Sequence, residues 1–195
     1  MTKVDGHESK PGEQNLPAEI NYKDRIYMKR IEDIIVDIIF DWVNVILQKT
    51  VHPDIRLADV TQLTEAEIIR LKETLGIEGV ILDVDETLRT NLKFIPKCNQ
   101  EWIDIVRKHL KIIIVSNGKD TSIAEFFEER GIEYISLAFK PLSFGFKKAC
   151  KKMELNPEKV LVVGDDLFDD IYGGKRLKMR TAIIENVIED EEIQK

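Results

Sequence analysis

Between residues 79 and 184 short runs that are apolar almost without interruption, GVILD, KIIIVS, EYIS, KVLVVG and RTAII, alternate with longer stretches whose apolar residues recur every three or four positions. Uninterrupted apolar runs of this length suit strands buried on both faces, and the amphipathic stretches between them suit helices. The pattern predicts helices from about 97 to 109, 122 to 130 and 143 to 153, with a shorter one around 168 to 177. Just upstream, Thr64 and Glu67 give a capping-box signal, Ile68, Leu71 and Leu75 form an apolar face, and Gly76 offers the left-handed stop. Alternation of strand and helix in this manner predicts a parallel sheet covered by helices.

The chain before residue 64 reads differently. Residues 1–22 are polar and predict a disordered arm that adds nothing to a core. Residues 34 to 47 are densely apolar, while Asp33, Asp37, Asp41 and Asn44 recur at helical spacing, which predicts a helix with one narrow acidic stripe. Such a face packs against its own domain, a second subunit or a membrane surface; the acids disfavour the last. The predicted organisation is an arm (1–22), a helical extension (23–63), an α/β domain (64–188) and an acidic tail (189–195).

Composition narrows the function. With 195 residues, 43% of them apolar, the chain can bury one core of ordinary size, and a net charge of -7 argues against a general nucleic-acid binder. Cys98 and Cys150 stand far apart and in no metal-ligand spacing, which suggests neither disulfide nor zinc. The start has no apolar signal segment, and no run is long enough to span a bilayer, so a cytoplasmic protein is expected.

Chemistry enters at the strand ends, where open α/β sheets bind ligands. The first run ends in Asp83, Asp85 and Thr87, the second in Ser116 and Asn117; the loop after the third carries Lys140, and the fourth ends in Asp165, Asp166, Asp169 and Asp170. A parallel sheet would gather all of these on one edge. Crowded carboxylates raise one another's pKa unless a cation lies among them, and an all-oxygen donor set favours the hard ion Mg²⁺. Such an ion beside a lysine and a hydroxyl suits a phosphoryl group. Each residue alone has a bland reading, as helix cap or surface charge; the whole set in register is hard to explain that way.

These motifs, DVDET, IIIVSN, the lysine of AFKP and VVGDDLFDD, taken in that order, resemble the haloacid dehalogenase superfamily over roughly residues 76 to 184. SNG, AFKP, FGFKKA and GDDLFDDIYGG are most similar to the YqeG-like branch of subclass III, related to phosphatidylglycerophosphate phosphatases. The resemblance implies a three-layer Rossmann-like parallel sheet with helices on both faces and a Mg²⁺-dependent phosphomonoester hydrolase. It implies Asp83 as nucleophile, Asp85 as acid/base, and Thr87, Ser116, Asn117 and Lys140 as phosphate-binding residues. The metal would be held by Asp83, Asp85 through its backbone carbonyl, Asp165 and Asp170, with Asp169 as the competing position and Asp166 as an outside candidate. GKDTSI stands where the branch would have an arginine-valine pair, and Glu86 where many members have asparagine, so the substrate is the open item.

The stretches from Asp83 to Ser116 and from Lys140 to Asp165 are filled by the elements already counted and leave no room for a cap domain. An open site suits phosphate on a large or interfacial molecule, a lipid phosphate foremost; a phosphoprotein or a small phosphorylated metabolite is the alternative. Two other classes fit less well: a receiver domain, which would place its acidic pair before the phosphoacceptor, and a non-catalytic scaffold, which an intact motif set disfavours. Trp102 reads as core, Phe94 as a possible edge of the entrance, and the basic knot of Lys175, Arg176 and Lys178 as a helix end. His7, His52 and His109 have no metal-ligand spacing.

Overall fold

The computed structural model describes residues 51–91 and 94–187, together with residues 34, 36, 39, 42, 43, 45–47, 49 and 50, all ten of which are helical. The acidic stripe of Asp33, Asp37, Asp41 and Asn44, the arm and the tail lie outside the described residues. The chain divides into two compact units, Met1–Asp41 and Trp42–Lys195, and the second holds every element that follows.

Six parallel strands make the sheet: β1 (Ile55–Leu57), β2 (Gly79–Leu82), β3 (Lys111–Val115), β4 (Glu133–Ile135), β5 (Val160–Gly164) and β6 (Arg180–Ile184), in the spatial order β1-β6-β5-β2-β3-β4. The helices are α1 (Glu65–Leu75), α2 (Lys97–Arg107), α3 (Thr121–Glu128) and α4 (Ser143–Met153); after β5 come a π-helical turn (Leu167–Tyr172) and a single turn, α5 (Gly173–Lys175).

Successive strand residues point to opposite faces, and two separate cores result. Val80, Leu82, Ile114, Leu161 and Val163 face one side and pack with Ile68, Leu71, Trp102, Ile103, Val106 and Phe127 of α1, α2 and α3. Ile81, Ile113, Val115, Val160 and Val162 face the other, with Phe146, Ala149, Cys150 and Met153 of α4. This is the three-layer, Rossmann-like arrangement, and it explains why the strands lack polar alternation: neither face is wet.

Local signals behave as their chemistry requires. Thr64 caps α1, accepting the Glu67 N–H at 3.4 Å, and Gly76 closes it at φ 66°. The reciprocal half of the capping box is not made, because Glu67 instead pairs with Arg70 at 2.5 Å. Trp102 is core, its Nε1–H donating to the Leu63 carbonyl at 2.9 Å.

Two features differ from the sequence reading. The segment assigned to a helical extension ending at 63 contains β1, which pairs in parallel with β6 (Ile55 opposite Ala182), so the sheet takes in residues before 64. Three residues are too few for period-two patterning to register. The helix expected around 168 to 177 is instead the π-helical turn followed by α5.

Candidate active site

Strand β2 lies between β3 and β5, so the chain leaves it in one direction and returns on its other side, the kind of switch point where open sheets hold ligands. The register sets Leu82 opposite both Ile114 and Val163. The residues that follow therefore emerge together: Asp83, whose N–H still donates to Val163 at 3.0 Å, Ser116 after β3, and Asp165 after β5. A cleft of about 190 Å³ at this edge is lined by Asp83, Asp85, Ser116, Asn117, Gly118, Lys140, Asp165, Asp166, Asp169 and Asp170. A larger hollow of about 470 Å³ beside α3 and β4, lined by Ala124, Glu128 and Tyr134, contains none of these groups.

At the base of the cleft the Lys140 ammonium donates to Asp83 Oδ1 at 2.5 Å and to Asp170 Oδ1 at 2.6 Å. All three side chains are at most 9% exposed. Ligand oxygens of Asp83, Asp165 and Asp170 lie within 4.8 Å of one another. Burial, and then the neighbouring Asp170, push the Asp83 carboxyl up to about 7. Burial raises Asp165 to about 6 against the hydrogen bond from Thr87, and raises Asp170 to about 6 against the pull of Lys140. Lys140, which burial would push down, is held above its usual range by Asp170 and Asp83. One ammonium thus does not relieve three converging carboxylates, and their all-oxygen donor set fits a hard divalent cation.

Asp170, in the π-helical turn, reaches this position because the last residue of β5 is glycine: a β-carbon on Gly164 would run into the Asp170 carboxylate. Asp169, one residue away, turns to the rim and accepts the Asn117 amide at 2.8 Å. Asp166 is engaged as the cap of the π-helical turn, accepting the Phe168 N–H at 2.7 Å and the Asp169 N–H at 2.6 Å. Lys175 pairs with Asp54 at 2.7 Å, and the basic knot has no part in the cleft.

Of the residues expected to touch phosphate, Thr87 is placed otherwise, while Asn117 lines the cleft and also holds the loop that carries Lys140. Thr87 is fully buried, and its hydroxyl donates to Asp165 Oδ1 at 2.9 Å, so it steadies a carboxylate and does not face the cleft. In the turn after β2 the chain is no longer extended, and period two no longer aims the side chain. The Asn117 side chain brackets the backbone of Lys140, accepting its N–H at 2.6 Å and donating to its carbonyl at 3.2 Å. It fixes the lysine. Ser116 lies buried in the cleft wall, its Oγ accepting the Gly118 N–H at 3.0 Å. Glu86 belongs to a tight turn at φ 58° and accepts the Asn91 N–H at 3.0 Å.

Arg89 and Asp120 escaped the sequence reading. The Arg89 side chain is 2% exposed and donates to Asp85 Oδ1 at 2.8 Å and to Asp120 Oδ2 at 3.0 Å. Asp120 is also the N-cap of α3; its carboxyl is held down at about 2, by the Ser122 hydrogen bond first and with a further contribution from Arg89. The available signal was an arginine four residues beyond the second acid of the first motif.

Residues 61–178 match the haloacid dehalogenase-like hydrolases. The chain is 34% identical over 143 residues to the "Probable phosphatase YqeG" of Bacillus subtilis (strain 168), covering 71% of this chain and 79% of that protein. It is 42% identical over 115 residues to the glyceraldehyde 3-phosphate phosphatase of Pyrococcus furiosus (strain ATCC 43587 / DSM 3638 / JCM 8422 / Vc1), covering 59% of this chain but 38% of that one. An uncharacterized protein from Listeria monocytogenes serotype 4b superposes with a TM-score of 0.48 at 19% identity, over 59% of this chain and 84% of that one. With the family match spanning more than half of its length and its strand-end carboxylates converging as described, the chain belongs to the haloacid dehalogenase-like hydrolases, and among them to the phosphatases.

Proposed function

We propose that this phosphatase is a Mg²⁺-dependent phosphomonoester hydrolase that works through an aspartyl-phosphate on Asp83, with a lipid-borne phosphate such as phosphatidylglycerophosphate as its substrate. The observation that carries the reading is the Lys140 ammonium shared between Asp83 and Asp170, with Asp165 completing a carboxylate trio at the sheet's switch point.

Asp83 attacks phosphorus, and the departing oxygen takes a proton from the Asp85 carboxyl as its bond to phosphorus breaks. Water then attacks the aspartyl-phosphate, returns a proton to Asp85 and frees Asp83. Lys140 and the Ser116 hydroxyl hold phosphoryl oxygens, and the Asn117 bracket keeps Lys140 in place. Asp83, Asp165, Asp170 and the Asp85 carbonyl would hold Mg²⁺, which would supply positive charge to phosphoryl oxygens and offset the repulsion among the carboxylates.

The rim of the cleft favours a lipid-borne substrate. Leu137, Phe139, Leu142 and Phe144, on the loop that presents Lys140 and at the start of α4, are all exposed. Leu137 and Phe139 have positive φ, 49° and 54°, a conformation such residues seldom adopt. On the outer face of α4, Phe144 lies in line with Lys147, Lys148 and Lys151 by helical spacing, and residues 134 to 153 contain no acid. An apolar tip beside a basic stripe suits an anionic bilayer surface. No helix among the described residues is long and apolar enough to cross a membrane. The Pyrococcus relative supports the second reading, a small phosphorylated metabolite.

The test is release of phosphate from p-nitrophenyl phosphate by the purified protein, with and without Mg²⁺, followed by detergent-dispersed phosphatidylglycerophosphate beside glyceraldehyde 3-phosphate and a phosphopeptide. Release with Mg²⁺ that Asp83→Asn abolishes is the expected result; equal release by the variant removes the nucleophile assignment, and preference for a soluble substrate removes the lipid.

A further inference from the structure

We propose that Arg89 is a positioning residue for the leaving-group step: it pins one oxygen of Asp85 to the capped end of α3 and leaves the other to meet the departing oxygen of the substrate. The proposal rests on the reading of Asp85 as proton donor given above.

The geometry divides the work of each carboxylate in two. Asp85 gives Oδ1 to the Arg89 Nε–H at 2.8 Å, while its Oδ2 lies 3.5 Å from the place a β-carbon would occupy on Gly118, with Ser116 Oγ 3.3 Å from that same point. The second oxygen therefore faces the cleft wall where Ser116 stands. Asp120 is divided in the same way. Its Oδ1 caps α3, accepting the Ser122 N–H at 3.0 Å, the Ile123 N–H at 3.3 Å and the Ser122 hydroxyl at 2.6 Å; its Oδ2 takes the Arg89 Nη2–H at 3.0 Å. Arg89 itself is fixed at its root by a tight turn, with its N–H donating to Val84 at 3.1 Å and its carbonyl accepting the Glu86 N–H at 2.8 Å. A planar guanidinium held by carboxylates on two elements makes a rigid strut between α3 and the first motif.

A buried arginine needs carboxylate partners for its own sake, so a purely structural ion pair is the rival account. What separates the two is where Asp85 ends. Its side chain is 38% exposed and lines the cleft, whereas the arginine holding it is 2% exposed. Removing one rotatable side chain's freedom at the reacting edge is what positioning requires, because a proton donor that wanders by an ångström loses the geometry of transfer. In the step concerned, the bond from Asp83 to phosphorus forms as the bond from phosphorus to the leaving oxygen breaks, and the proton passes from Asp85 to that oxygen. A leaving group that is stable as an anion needs this proton little; a basic one needs it greatly.

The experiment compares kcat/KM, which covers formation of the aspartyl-phosphate, for p-nitrophenyl phosphate and phenyl phosphate in the wild-type protein and in Arg89→Met, Arg89→Lys, Asp120→Asn and Asp85→Asn. Arg89→Met is expected to lower turnover of phenyl phosphate at least about tenfold more than that of p-nitrophenyl phosphate, a part of the roughly 10²- to 10⁴-fold that a positioned general acid contributes. Arg89→Lys recovers part of the difference, since its single nitrogen cannot stand both where Nε meets Asp85 and where Nη2 meets Asp120. Equal losses on the two substrates, or none, overturn the proposal. If Arg89→Met fails to fold by circular dichroism, Asp120→Asn decides: it cuts the anchor and keeps the pair with Asp85, and a smaller loss weighted toward phenyl phosphate supports the strut, whereas an unweighted loss or none overturns it. Asp85→Asn separates the levels. Selectivity in Asp85→Asn with none in Arg89→Met removes Arg89 alone; no selectivity in Asp85→Asn removes the acid/base reading and the role of Arg89 together.

Discussion

The Thr87 hydroxyl donates to Asp165 Oδ1 at 2.9 Å, joining the turn after β2 to the end of β5 across 78 positions of sequence. Thr87 is wholly buried, so this bond is the link through which the first motif orients a carboxylate of the fourth. Thr87→Val keeps the shape and removes the donor. The expected result is a Mg²⁺ requirement raised about tenfold or more, the usual cost of losing an outer hydrogen bond to a ligand, with kcat at saturating Mg²⁺ much less affected. An unchanged Mg²⁺ titration refutes the role.

Lys140 carries the positive charge for two buried carboxylates and, in the proposed reaction, for the phosphoryl oxygens. Lys140→Met preserves length and removes that charge. Turnover of p-nitrophenyl phosphate should fall on the order of 10²-fold or more, as when a preorganised donor to a developing anion is lost. Steady-state kinetics on the folded variant decide it, and a loss of less than threefold would contradict the assignment.

Gly164 is required by proximity and not by φ, since a β-carbon there meets the Asp170 carboxylate. Gly164→Ala must move either the strand end or Asp170, at a cost of about 1–3 kcal/mol in stability for overpacking. Because Asp170 is the side chain displaced, activity should drop more steeply than the melting temperature. Wild-type turnover in this variant would show that Asp170 has room the structure does not give it.

Asp165 keeps its proton to about 6 in the fold, compared with an ordinary value of 3.8, chiefly through burial. Between those values the folded state binds more protons than the unfolded one, so in the absence of metal this group costs stability as pH rises through the window. Asp165→Asn removes the cost. In EDTA the melting temperature of the variant should gain on wild type between about pH 4 and pH 7, where the two protonation states exchange. Adding Mg²⁺ at the upper pH should favour wild type. A gap that does not move with pH shows that Asp165 is not held protonated.

The exposed tip of the Lys140 loop gives a prediction independent of catalysis. Phe139→Ser with Phe144→Ser should abolish co-sedimentation with vesicles containing phosphatidylglycerol and leave hydrolysis of p-nitrophenyl phosphate intact. Equal sedimentation of the double variant, or none by wild type, removes the bilayer from the account; loss of a dimer in light scattering would assign the tip to a second copy of the chain.

Much of this architecture was legible because parallel sheets impose a strong rule on sequence. Strands covered on both faces must be apolar throughout, so β2, β3 and β5 announced themselves, and the polar residues at their ends had to meet at one edge. Asp83, Asp85, Ser116, Lys140, Asp165 and Asp170 were found by that rule, and all six line the cleft. The three-residue β1 was not found, because its place is decided by pairing with β6 and not by its own pattern.

The sequence by itself determined which residues could gather, since apolar run, turn and acid fix strand, end and edge. Only the tertiary structure decided what each one holds. Thr87 turns from the cleft to Asp165, Asn117 brackets the Lys140 backbone from the cleft wall, Asp170 and not Asp169 enters the trio, and Arg89 reaches across 31 positions to Asp120. The physical reason is that these residues sit in turns, where no period aims a side chain. Its partner is chosen by burial, which leaves no polar group without a bond, and burial belongs to the folded whole.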